Sequence, residues 1–189
     1  MQFVLDLETK KGFDEVGGRA HFDQLGVSLI GLYRYDQENY NTFEENQIGE
    51  LESLLSQSRR IIGFNIRRFD FPVLQPYCKN LKLADLPIFD ILEELEKLLG
   101  HRVSLESVAK ATLREGKSGS GLDAIAFYRE GEIEKLKKYC LDDVRLTKEI
   151  YEFGKKFGKV YFLSKSGQDR IPVSVIWKDP EPPANLSLF

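Results

Sequence analysis

Two carboxylates, Asp6 and Glu8, stand two residues apart in Phe3-Val4-Leu5-Asp6-Leu7-Glu8. Side chains alternate between the faces of a strand, so both acids project to one side while Phe3, Leu5 and Leu7 take the other. An acid pair in so apolar a strand is costly unless something offsets its charge. Hard divalent cations do this with oxygen ligands. A strand end where both acids simply meet water is an equally good reading of this one spacing.

A second acid is marked by its helical phase. Over residues 132–153, Ile133, Leu136, Cys140, Val144, Thr147, Ile150 and Tyr151 recur at helical spacing and form one apolar stripe. Asp143 falls inside that stripe, whereas its neighbour Asp142 points roughly 140° from the stripe's centre at about 100° per residue. Asp143 is therefore expected to face the core, where it needs a partner: a cation, an arginine or backbone amides. Tyr139 lies four residues earlier on the same face, so its hydroxyl can reach a group held beside Asp143. Asp70 follows Asn65-Ile66-Arg67-Arg68-Phe69 and precedes Phe71-Pro72. On its own it suits the N-cap of a helix starting near Phe71, and Asn65 suits a turn.

These residues need a scaffold, and the chain supplies one of α/β type. Residues 2–8, 24–35 and about 40–44 read as strands of a three-stranded meander. Residues 45–57 read as a helix, with Leu51, Leu54 and Leu55 at helical spacing. Ile61-Ile62-Gly63-Phe64 and Pro87-Ile88-Phe89-Asp90 read as short strands, the first buried on both faces. Helices follow at about 91–99, 104–113, 121–130 and 132–153, with Lys117-Ser118-Gly119-Ser120-Gly121 as a connecting loop. Residues 159–177 return to strand character as a hairpin turning at Ser166-Gly167, with Pro172 placing its second arm at an edge. Residues 1–178 are thus expected to form one domain, and 179–189 a proline-rich linker and terminal peptide.

Composition excludes little. Hydrophobic residues make up 42% and charged residues 30% of the 189, ordinary for a soluble protein. No apolar run is long enough to span a bilayer. The N-terminus meets Asp6 at once, which does not suit a signal peptide, so a cytoplasmic protein is expected. Cys78 and Cys140 suggest no disulfide framework. The net charge of −3 does not advertise a nucleic-acid binder, but bound cations would add positive charge that the sequence does not count.

Taken together, "FVLDLETK" (3–10), "GFNIRRFDFPVL" (63–74) and "YCLDDVRLT" (139–147) resemble, in order, the three motifs of the DEDD superfamily of 3′-5′ exonucleases. The spacing from Asn65 to Asp70 and the Tyr-Cys opening of the third motif are most similar to the proofreading exonuclease domain of family B DNA polymerases and its standalone bacterial relatives. The resemblance spans roughly residues 1–155 and implies a ribonuclease H-like mixed sheet flanked by helices, to which the C-terminal β-hairpin is an addition. It implies that Asp6, Glu8, Asp70 and Asp143 are the metal-binding acids. It also implies that Tyr139 marks the tyrosine subclass, since the histidine subclass would carry His where Lys138 stands. The cofactors implied are two divalent ions, Mg²⁺ or Mn²⁺, an arrangement suited to phosphodiester hydrolysis with the ions about 4 Å apart. Asn65, Arg67 and Arg68 become contacts to nucleic acid, the arginines to phosphate. The expected substrate is a 3′ end of single-stranded DNA, in replication or repair; the motifs do not separate it from RNA. An inactive nuclease-like module that recruits partners is the alternative, against which stands the presence of all four acids and the tyrosine.

The chain ends Asn185-Leu186-Ser187-Leu188-Phe189. This resembles the peptide Gln-Leu-Ser/Asp-Leu-Phe that binds the bacterial sliding clamp, with Asn for the first Gln. Asn185, Leu186, Leu188 and Phe189 are the implied contacts, since large apolar residues after a proline-rich linker should bury against something.

Overall fold

Strand β1 (Gln2–Thr9) runs antiparallel to β2 (Val27–Arg34), which pairs in turn with β3 (Asn39–Phe43). On the other side of β1, β4 (Arg60–Gly63) and β5 (Ile88–Asp90) add in parallel, giving the order β3-β2-β1-β4-β5. The expected meander and both short strands are present. The computed structural model describes residues 1–116 and 119–179.

Alternation along β1 divides the core. Phe3, Leu5 and Leu7 pack with Leu51 and Leu55 of α1 (Ile48–Leu55) and with Phe71, Val73 and Leu74 of α2 (Asp70–Leu74). Val4 and Ile62 face the opposite layer, built from α3 (Ile91–Leu99), α4 (Leu105–Leu113) and α6 (Ile133–Phe157). A shorter helix, α5 (Gly121–Arg129), packs through Ala124 beside Leu136 and Cys140 of α6. The result is the ribonuclease H-like arrangement of a mixed five-stranded sheet flanked by helices.

Helix α6 runs one turn further than residues 132–153 and ends at Gly158, whose φ of 64° is left-handed. It is also buried more broadly than one stripe. Leu146, outside the expected stripe, is fully buried because α4 and the C-terminal hairpin cover a second face of the helix. That hairpin, β6 (Lys159–Leu163) and β7 (Arg170–Ser174), forms a separate two-stranded sheet. It is fastened to α4: Thr112 Oγ1 accepts from the Tyr161 amide at 2.9 Å, Ser107 Oγ accepts from the Leu163 amide at 2.9 Å, and Arg170 donates to the Ala111 carbonyl. Beyond it, Val175 and Trp177 are buried in the same core.

Asp179, the expected first residue of the linker, is held by Lys155 Nζ at 2.5 Å. Lys117, Ser118 and the linker from Pro180 onward lie outside the described residues. So do Asn185, Leu186, Leu188 and Phe189, the expected clamp contacts. Among the described residues, no helix is long and apolar enough to cross a membrane.

Candidate active site

The site begins where β1 leaves its parallel neighbour. Pairing with β4 covers only Gln2 to Val4, so the later part of β1 presents backbone groups to that side without a strand to take them. The chain after β4 turns sharply at Gly63–Asn65 and returns as α2. Asn65 adopts φ of 69°, a left-handed conformation that asparagine tolerates better than most residues. Asp90, at the end of β5, fixes this turn: its carboxylate accepts from the Asn65 amide at 2.9 Å and the Arg67 amide at 3.1 Å. It also caps α3 through the Leu92 amide at 3.0 Å. Asp70 then opens α2 as its first residue, not as its N-cap, which is Phe69. Its carboxylate reaches across to β1 and accepts from the Leu7 amide at 3.1 Å. Leu7 lies between Asp6 and Glu8, so this bond brings the third acid to the first two. The N-cap reading, which the local sequence alone also allowed, does not hold, because Oδ1 accepts from the strand.

The fourth acid arrives through a glycine. Asp6 pairs with Gly31 of β2. A Cβ at Gly31 would stand 2.8 Å from Val144 Cγ2 and 2.9 Å from Cys140 Sγ, so the absence of a side chain lets α6 lie directly on the sheet. Asp143 is 3% exposed, as its helical phase requires, and Tyr139 is equally buried one turn earlier. Asp142 instead meets Arg145 at 2.8 Å.

Asp6, Glu8, Asp70, Tyr139 and Asp143 all line one cleft of about 460 Å³. Residues from three separate stretches of the chain thus converge on it. Lys11, Phe13, Phe64, Asn65 and Phe69 continue one wall, and Ser120, Gly121, Leu122 and Ile125 of α5 and its N-cap form another. Leu122 is 74% exposed at that rim.

The donor set fits hard divalent cations: the four carboxylates line one cleft and offer oxygen donors. Candidate ligand atoms of Asp6, Glu8 and Cys140 also lie within 4.8 Å of one another. The thiol is nonetheless a poor ligand here. Burial, followed by the charges of Asp6 and Glu8, raises the Cys140 pKa well above its ordinary value, and Sγ lies 3.8 Å from the Asp6 carbonyl oxygen, positioned to donate. In the metal-free fold the buried thiol is held protonated and packs under the site.

Crowding of like charge is visible in Asp70. Burial pushes its pKa up to about 7; its own amide and that of Leu7 work against this, and the charges of Asp90 and Asp143 add to it. The folded state therefore holds a proton there between the ordinary aspartate value near 4 and about 7, which the unfolded chain has released. Without metal, stability should fall as pH rises through that window. A cation must displace the proton, so metal affinity should rise with pH up to about 7 and then level off. Calorimetric titration of Mn²⁺ between pH 5.5 and 8 measures this. A pH-independent affinity with no proton release would contradict it.

Asn65 lines the cleft, as does none of its two following arginines. Arg67 pairs with Glu93 at 3.2 Å and Arg68 with Glu96 at 2.7 Å. Both arginine side chains remain partly exposed, at 36% and 50%. The apolar wall of Phe13, Phe64 and Phe69 and the organising role of Asp90 carry no motif in the sequence. Of these, only Asp90 carried a signal, as an acid immediately before the apolar run that starts α3.

A family model described as the RNase_H superfamily matches residues 5–153. No curated protein matches the sequence. Among solved structures, the family B DNA polymerase of the archaeon Pyrobaculum calidifontis superposes with a TM-score of 0.61 at 17% identity, covering 81% of this chain and 24% of that one. A structure of exonuclease I superposes at 0.56 and 14% identity over 82% of this chain and 40% of its own. The zinc-bound form of the E. coli exonuclease I complex with single-stranded DNA gives 0.53, also at 14% identity and with the same 82% and 40% coverage. The chain thus spans between a quarter and two fifths of the length of these structures, and at such identities the likeness is one of fold.

Proposed function

Because the chain belongs to the ribonuclease H superfamily, we propose that it is a metal-dependent 3′-5′ exonuclease of the tyrosine subclass, acting in the cytoplasm on 3′ ends of single-stranded DNA in replication or repair. The observation that carries this reading is the convergence of Asp6, Glu8, Asp70 and Asp143 on one cleft with Tyr139 among them. Similarity of fold to exonuclease I and to a family B polymerase supports it, and the first of these has been solved with single-stranded DNA.

Asp6, Glu8, Asp70 and Asp143 would hold two Mg²⁺ or Mn²⁺ ions. When bound, such ions supply a nucleophilic water at neutral pH and stabilise the charge that develops on the departing 3′ oxygen. The chain's own part is positional. Asp70 is fixed against β1 by the Leu7 amide, and Asp143 and Tyr139 by a helix packed tightly on Gly31, so the carboxylates do not have to reorganise when a substrate binds. Tyr139, buried beside Asp143, orients the attacking water through its hydroxyl. Asn65, on the wall of the cleft, contacts the strand.

A time course on 5′-labelled single-stranded DNA and RNA of one sequence, with Mg²⁺, Mn²⁺ or EDTA and beside Asp6→Ala, tests the reading. The expected result is a ladder shortening from the 3′ end of DNA, lost in EDTA and in the mutant. Faster shortening of RNA would transfer the assignment to an RNA exonuclease. No cleavage of either strand would leave a nuclease-like module without activity.

The terminal peptide, Asn185 to Phe189, is proposed to bind the bacterial sliding clamp. This rests on its resemblance to the clamp-binding peptide alone. Deleting residues 185–189 should abolish the heat of mixing with clamp and leave activity on short oligonucleotides unchanged. Absence of any heat with the intact chain would remove the clamp as partner.

A further inference from the structure

A second hollow, of about 520 Å³, adjoins the acidic cleft. Phe13, Phe64, Asn65 and Phe69 line both, so the two form one continuous depression. Their charges are opposite. The first gathers five carboxylates, Asp14 among them, against the single cation of Lys11; the second is lined by Arg19 and Arg102 and by no acid among the described residues.

Resting on the exonuclease reading, we propose that this hollow is the path of the strand upstream of its 3′ terminus, with Arg19 and Arg102 holding backbone phosphates. Cations bound among the carboxylates can neutralise only the phosphate at the point of cleavage. Each further phosphate that lies on the protein needs a positive group of its own, and a guanidinium suits it because its donors form a planar fork. The arginines line the hollow that continues directly from the cleft, where a strand with its 3′ end in the cleft can extend.

The hollow is also built to take bases. The rings of Phe13, Phe22 and Phe69 hold one another edge-on, with centroids 5.3 Å apart for Phe13 and Phe22 and 6.0 Å for Phe13 and Phe69. Phe13 and Phe69 are half-buried, so each still offers ring surface to the depression, as sequence-tolerant stacking of bases requires. The Arg19 guanidinium lies 5.6 Å from the Phe13 centroid. Arg102 donates to Asn65 Oδ1 at 2.6 Å, which ties it to the turn that carries Asp70. Glu96, 4.0 Å from Arg102, sits closer to Arg68 at 2.7 Å and offsets only part of the Arg102 charge.

Fluorescence anisotropy with 5′-labelled oligothymidylates of ten and of two nucleotides, in Ca²⁺ across a salt series, tests the path. The proteins are the full chain, the double variant Arg19→Ala/Arg102→Ala, and Arg19→Lys/Arg102→Lys. The alanine pair should bind the longer strand about tenfold or more weakly, and its salt slope should fall by about 1.4, at about 0.7 per phosphate contact on a single strand. Binding of the two-nucleotide strand should stay within about twofold, and the lysine pair, which keeps the charge, should restore the slope. Turnover of the p-nitrophenyl ester of thymidine 5′-monophosphate in Mn²⁺, a substrate of one nucleotide, should change far less between the full chain and the alanine pair than does affinity for the longer strand.

Unchanged affinity and slope in the alanine pair would overturn the path, as would a failure of the full chain to bind the longer strand. An equal loss on the two-nucleotide strand would place both arginines at the cleavage point and overturn it as well. If the ester is not cleaved by any of the three proteins while affinity and slope still respond to the arginines, the exonuclease reading fails and the path stands as a binding site for single strands.

Discussion

Asp143→Asn should lower nuclease activity by about three orders of magnitude or more, while Asp142→Asn keeps most of it. The two residues are adjacent and of one type, so only their direction differs. Asp143 is 3% exposed and lines the cleft. A carboxylate that binds a catalytic cation contributes several kcal/mol to transition-state stabilisation, and each 1.4 kcal/mol is about tenfold in rate. Asp142 lies on the far side of the same turn and pairs with Arg145 at 2.8 Å. Arg145 also has Glu115 at 2.9 Å and Glu149 at 3.1 Å, so losing one of three acids around it costs about 0–1 kcal/mol of stability and no chemistry. Asn at 143 keeps the shape of Asp and removes a charge that crowds Asp70, so the metal-free variant should melt no lower than the parent. Release of labelled nucleotide, measured beside thermal melting, separates loss of chemistry from loss of fold. Comparable activity in the two variants would mean that Asp143 is not a metal ligand.

Trp177→Ala should destabilise the fold by about 3–5 kcal/mol, the range for truncating a large buried aromatic residue. Trp177 is 6% exposed. Its ring stacks at 13° on Tyr151, with centroids 6.1 Å apart, and meets Phe89 edge-on at 5.5 Å. Arg60 completes the group, donating to the Tyr151 hydroxyl at 2.7 Å and lying 5.3 Å from the Phe89 centroid. Gly154 makes room: a Cβ there would stand 2.2 Å from Trp177 Cε3. The segment after β7 is thereby fastened to α6, the helix that carries Asp143. Urea denaturation gives the magnitude, and Trp177→Phe should recover part of it. Gly154→Ala should also destabilise, by about 1–3 kcal/mol through overpacking, and less so when Trp177 is already Ala, since the clash is between those two residues. A loss under about 1 kcal/mol for Trp177→Ala would show that the aromatic group does not form in solution.

Much of the fold was readable because periodicity is a local property. Alternation placed Asp6 and Glu8 on one face of β1 and Phe3, Leu5 and Leu7 on the other, and the structure keeps that division. A period of 3.6 separated Asp143 from Asp142 before any neighbour of α6 was known. The order of the motifs was likewise a property of the chain alone, and it implied the ribonuclease H-like sheet that is observed.

Other features depend on which elements meet, and no window of sequence contains that. The breadth of buried surface on α6 could not be read from one stripe, because Leu146 shares its core cluster with residues of α4 and the hairpin, which lie far away in sequence or on another element. Asp70 looked like an N-cap, since its short-range setting is that of one; its carboxylate instead takes the Leu7 amide, which is available only because β1 and β4 part company after Val4. Gly31 gave no sign of its importance, as the volume it leaves is filled by Val144 and Cys140 from more than a hundred residues away. The apolar wall of Phe13, Phe64 and Phe69 joins two distant stretches whose aromatic residues are indistinguishable in sequence from core. Residue types and spacing therefore determined which acids could do chemistry. Tertiary packing decided where they meet and what surrounds them, because a cleft is made of long-range contacts that local periodicity does not encode.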